Sequence, residues 1–143
     1  MGMYYSLRCK LKLKKDFVPL IQSLLDSDND DEWSNLKTEI DSIREYSKAD
    51  RASFIPFGGL AYSPELWQSE EDEWCNEIVN DTWTFQCSIK TLSTIESFFQ
   101  NVVPIITEVS LHIELFYEED NNSTFYKLIE GAVIETGEMI TYD

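Results

Sequence analysis

From Tyr5 to Lys14 the chain alternates: Leu7, Cys9, Leu11 and Leu13 fall on one face, and Arg8, Lys10, Lys12 and Lys14 on the other. A period of two with one apolar face predicts a strand lying on a core. Asp16 suits a helix N-cap, and Phe17 to Leu25 reads as a short helix with Pro19 in its first turn. Trp33, Leu36, Ile40 and Ile43 recur at helical spacing and predict an amphipathic helix over 31–48. Phe54 to Ala61 is apolar but interrupted by Pro56 and Gly58-Gly59, which predicts a short or bulged edge strand. Ser63-Pro64-Glu65 then opens a brief helical turn carrying Leu66 and Trp67.

Trp74 to Val79 and Trp83 to Lys90 read as strands joined by a tight turn near Asn80-Asp81-Thr82. Ser93 and Glu96 have the spacing of a capping box. The helix they open carries Ile95, Phe98, Phe99, Val102 and Val103 and is expected to stop at Pro104. Val109, Leu111, Ile113, Leu115 and Tyr117 alternate with Ser110, His112, Glu114, Phe116 and Glu118, another half-buried strand. After a turn at Glu119 to Ser123, Phe125 to Glu130 and Ala132 to Glu135 form two short strands around Gly131. This order predicts an α+β fold: a single antiparallel or mixed sheet with helices packed on one face, and a ferredoxin-like core. If the first strand lies beside strand 109–118, Lys10 or Lys12 should face Glu114.

At 143 residues the chain is expected to be one domain, 1–143, large enough to bury a core without a metal or disulfide. Charge changes the picture more than size does. Residues 1–51 carry nine basic and ten acidic groups; residues 52–143 carry two basic groups, Lys90 and Lys127, and seventeen acidic ones. The total of −16 opposes non-specific binding to nucleic acid or to an anionic membrane. The absence of a long apolar run predicts a cytoplasmic protein that spans no membrane. Cys9, Cys75 and Cys87 are odd in number and lack metal-ligand spacing, so free thiols are expected.

Candidate chemistry is sparse. Asp26, Asp28 and Asp30 begin like a calcium loop, but Asp31 stands where the loop needs Gly and Lys37 where it needs Glu. Gly58-Gly59 is too short for a phosphate loop. His112 is the one imidazole, with no nucleophile motif around it. No catalytic residue, metal or cofactor is expected. Two dense acidic runs border aromatics instead. Glu70, Glu71, Asp72 and Glu73 lie between Trp67 and Trp74, and Glu118, Glu119 and Asp120 follow Phe116 and Tyr117. Acids that steer and aromatics that anchor are what an interface for a basic protein needs.

The stretches TWTFQCSIKTLSTIESFFQNVVPII (82–106) and HIELFYEEDNNSTFYKL (112–128) resemble small acidic bacterial immunity proteins of polymorphic-toxin systems. That resemblance implies a cytosolic, non-enzymatic protein that neutralises a toxin by covering its active site. The expected function is therefore binding to a basic protein partner through Trp67, Glu70, Glu71, Asp72, Glu73, Trp74, Glu118, Glu119 and Asp120. The alternatives are an interaction module of another kind, or a small enzyme using His112 or a carboxylate pair.

Overall fold

The alternation at the N-terminus produces the central strand of the fold. In β1 (Tyr5–Leu13) the side chains of Leu7, Cys9, Leu11 and Leu13 are fully buried. The computed structural model describes residues 4–26, 60, 62–89, 92–119 and 121–142. The expected helix over 31–48 and, apart from Leu60, the edge strand 54–61 lie outside the described residues.

After β1, a single 3-10 turn (Lys15–Phe17) leads into α1 (Val18–Asp26), which buries Ile21 against the core. α2 (Glu65–Ser69) follows, with Pro64 at its N-cap. β2 is confined to Glu77–Val79 and joins β3 (Thr82–Ile89) through Asn80 and Asp81. Both turn residues have positive φ, 51° and 65°. Two left-handed residues make the primed turn whose twist matches the strands it connects, and Asn and Asp tolerate that conformation.

The next helical stretch runs through Pro104 where a stop was expected. α3 (Leu92–Ser97) widens into a π turn at Phe98–Val102, and α4 (Val103–Ile106) continues from it. Proline has no N–H and clashes with the carbonyl four residues back. The wider turn lies just ahead of it, so Pro104 occupies the first turn of a new segment, where no N–H is needed. Ser93 falls inside the first turn of α3, one position after the helix has begun.

β4 (Thr107–Tyr117), β5 (Asn122–Ile129) and β6 (Ala132–Thr141) complete an antiparallel sheet of six strands in the order β2-β3-β1-β4-β5-β6. β5 and β6 meet at a second positive-φ pair, Glu130 and Gly131. β6 reaches six residues beyond the expected end at Glu135, carried past Gly137 by a left-handed φ of 88°.

One face of the sheet holds the apolar core. Trp83, Phe85 and Phe98 pack there, with Phe85 and Phe98 at 6.0 Å and 82° between planes. Near-perpendicular rings suit the aromatic quadrupole. Cys9 and Cys87 are free thiols in this core, and burial pushes Cys87 up to about 12; Cys75 is a free thiol on the surface.

Two expectations about the sheet are corrected. The first is register. β1 and β4 are neighbours, but Glu114 stands opposite Arg8, and Lys10 stands opposite His112. Lys12 instead approaches Glu108, at 3.9 Å and about half exposed. Alternation assigns each side chain a face but not its partner, and the offset is already set where Tyr5 meets Tyr117, before the irregularities opposite Lys10–Leu11 and Lys12–Leu13. The second is layering. α1, α3 and α4 cover the core face, whereas α2 lies on the opposite face, against Arg8 and Phe116. Among the described residues, no helix is long and apolar enough to cross a membrane.

Candidate functional site

The face of the sheet expected to be polar and solvated is centred on a buried cation. Arg8 projects from the middle of β1, away from the core, and is 4% exposed. Its guanidinium lies between two indoles, 4.4 Å from the Trp67 ring centroid and 4.3 Å from that of Trp74. Nη1 donates to Glu70 Oε1 at 3.2 Å and Nη2 to Gln86 Oε1 at 2.6 Å. Gln86 in turn donates from Nε2 to the carbonyl of Trp67 at 3.0 Å, tying the loop's backbone to β3. A desolvated cation–π contact contributes ~2 kcal/mol. Arg8 therefore pins the segment 62–76 across the sheet. Its burial pulls the guanidinium pKa down, while Glu70 and Glu114 act in the opposite direction.

A second polar chain adjoins it. Trp67 Nε1 donates to the Tyr142 hydroxyl at 3.2 Å, and that hydroxyl donates to Glu114 Oε2 at 2.5 Å. The other carboxylate oxygen, Oε1, is 2.9 Å from His112 Nε2. The His112 ring sits between Trp74 and Phe125, with centroids at 5.0 and 5.5 Å. Burial pushes the Glu114 carboxyl up, but its hydrogen bonds with His112 and Tyr142 outweigh burial and hold it below the usual carboxylate range. An ionised carboxylate only accepts, so the bond to Glu114 places a proton on His112 Nε2.

This arrangement sets a pH dependence. A carboxyl with a depressed folded pKa contributes stability above its unfolded pKa and loses it as pH falls through the folded value. Glu114→Gln should therefore be less stable than wild type at neutral pH. The gap should close on acidification below about pH 4, the ordinary range of a glutamate. Urea midpoints measured from pH 7 downward test this, and a gap independent of pH would show that Glu114 contributes by shape alone.

The expected interface residues divide. Trp67 is fully buried and Trp74 is 8% exposed, so both close over Arg8 and neither presents a surface anchor. Glu70 turns inward to Arg8. Glu71, Asp72 and Glu73 remain exposed on the turn that follows. Glu118 is half-buried, its Oε1 accepting from the Tyr4 backbone N–H at 2.8 Å, and Glu119 is exposed. Asp120 lies outside the described residues.

Sequence reasoning missed two exposed apolar side chains on the same segment. Tyr62 is 67% exposed, at a left-handed φ of 56°, and Leu66 is 54% exposed. Tyr62 packs on Tyr4, with ring centroids 5.1 Å apart, and the Tyr4 backbone N–H donates to Glu118. A signal for Leu66 was available. Adjacent residues on one helical turn point about 100° apart, and in a helix of five residues lying against the sheet by Trp67, Leu66 turns outward. Among the described residues, no group of three or more His, Cys, Asp or Glu side chains is placed to hold a metal ion. No protein-family model, curated protein or solved structure matches the chain.

Proposed function

We propose that this is a non-enzymatic cytoplasmic protein that binds and neutralises a basic protein, in its sharpest form an immunity protein for a bacterial toxin. The observation that carries the reading is the pair Tyr62 and Leu66, exposed on a segment that the Arg8 sandwich clamps to the sheet. Glu65, Glu71, Asp72 and Glu73 are exposed on the same segment, and Tyr4 links Tyr62, through its ring, to Glu118, through its backbone N–H. An apolar anchor ringed by like charge suits a cationic partner, because the acids accelerate encounter and the anchor slows release. A pre-ordered segment also loses little entropy on binding. The proposed scaffold is ferredoxin-like. Its support is the order β2-β3-β1-β4, in which each of two strand–helix–strand units leaves room for a strand of the other.

The test pairs the chain with growth-inhibiting proteins encoded beside its gene. Co-expression with the cognate toxin should restore growth. Reversing Glu71, Asp72 and Glu73 to lysine should slow association about tenfold or more at low salt. Tyr62→Ala with Leu66→Ala should mainly speed dissociation. If no neighbouring product is neutralised, the immunity reading fails; if both variants bind like wild type, the site is wrong.

The catalytic alternative has one observation in its favour: the His112 imidazole lines a cavity. A hydrolytic or acid–base activity abolished by His112→Gln would move the assignment to that reading.

A further inference from the structure

Three departures from regular pairing converge at one place on the sheet. The register of β4 against β1 shifts between His112 and Ser110, leaving Leu111 outside the ladder. β4 and β5 pair from Tyr117 with Asn122 only as far as Glu114 with Phe125. The register of β6 against β5 jumps between Thr124 and Tyr126, where Gly137 turns through its positive φ. Beyond the gap the strands are tied again, by the Leu128 N–H donating to Ser110 Oγ at 3.0 Å. Each irregularity gives up ladder hydrogen bonds, and such bulges cluster beside binding sites because they re-aim side chains.

Between them lies a cavity of about 430 Å³, within the range that holds a small ligand. Its walls include Leu111 and Phe125, the His112 ring, and two opposite charges, Lys127 and Glu138. Lys127 is one of only two basic residues after Arg51. It forms no ion pair with Glu138: the pairs among the described residues are Arg8–Glu70, Lys12–Glu108 and His112–Glu114. A simple anion entering here would meet Glu138, and a simple cation would meet Lys127. A zwitterion satisfies both, and having no net charge it escapes the repulsion that a chain of −16 imposes on anions.

We propose that this cavity binds a free α-amino acid with an apolar side chain. Glu138 takes the ammonium, Lys127 takes the carboxylate, and the side chain lies against Phe125 and Leu111. The His112 ring, held by Glu114 through Nε2, borders the cavity and fixes its wall. This site is separate from the Tyr62–Leu66 surface and does not depend on the toxin-binding role.

The test is titration of the full chain with L-phenylalanine and L-leucine, followed by calorimetry and by amide NMR shifts. At least one of the two should bind saturably, with a dissociation constant near or below ~1 mM, shifting the amides of Phe125, Lys127 and Glu138. Phenethylamine and 3-phenylpropionate each lack one charge and should bind about tenfold more weakly than phenylalanine, the loss of one charge-assisted contact. Lys127→Met and Glu138→Gln should each weaken binding by about the same factor. Both side chains are exposed, so the variants should keep the wild-type circular dichroism spectrum. Absence of saturable binding by either amino acid, equal binding of the one-charge analogues, or wild-type affinity in both variants would overturn the proposal.

Discussion

Replacing Trp67 by alanine should destabilise the protein by about 3–5 kcal/mol, the cost of deleting a buried aromatic side chain. The ring is fully buried, and it packs on Arg8 at 4.4 Å, Phe116 at 6.1 Å and Tyr142 at 6.4 Å. Its loss also strips one aromatic face from the guanidinium and one hydrogen bond from the Tyr142 hydroxyl. Those contacts hold the segment 62–76 to the sheet, so proteolysis within that segment should accelerate before global unfolding does. Trp67→Phe should recover most of the packing but not the hydrogen bond. Urea unfolding combined with limited proteolysis measures both effects. A loss below about 1 kcal/mol, the size of an ordinary surface change, would mean that the segment is held by something other than this ring.

Arg8→Met should cost about 3 kcal/mol, in the range for removing one partner from a buried charge pair. Methionine is long and flexible enough to stay between the two indoles, so packing changes little and the measured loss reports the charge with its hydrogen bonds to Glu70 and Gln86. The ion-pair partner left behind is Glu70, and Glu114, 2% exposed and directly across the strand pair, loses the nearest positive charge on β1. Its carboxyl should then titrate at higher pH, and the stability of the variant should start to fall at a higher pH than that of wild type. Adding Glu114→Gln to Arg8→Met should restore part of the lost stability. A double variant whose losses simply add would show that the two groups do not sense each other.

The elements that local rules control were legible from the residues alone. β1 follows from strict alternation, the β2–β3 turn from Asn80-Asp81, and the aromatic helix from Ile95 onward. What depended on distant segments was not. Arg8 looks like any other member of a solvated Lys/Arg row, and nothing local says that Trp67, some sixty residues later, will cover it. The two tryptophans look like surface anchors for the same reason: their acidic neighbours suggest an interface, while their partner is a cation on another strand. Register failed at Arg8, because alternation fixes which face a side chain takes and not which residue of the neighbouring strand it meets. The end of β6 failed at Gly137, which breaks a pattern of two without ending the strand.

The placement of β1 has a consequence during synthesis on the ribosome. It is translated before the other strands of its sheet, and both its neighbours, β3 and β4, come from the second half of the sequence. At ~5–20 residues per second, the wait from β1 to the end of β4 is on the order of ten seconds. Through that interval Leu7, Cys9, Leu11 and Leu13 have no sheet to bury them, the condition in which nascent strands aggregate. Arg8, Lys10, Lys12 and Lys14 stand between and beside those residues. Cations interleaved along an unpaired strand keep it hydrated and repel other copies of itself. The row that later supplies the buried clamp at Arg8 thus also protects the young chain until its partners arrive.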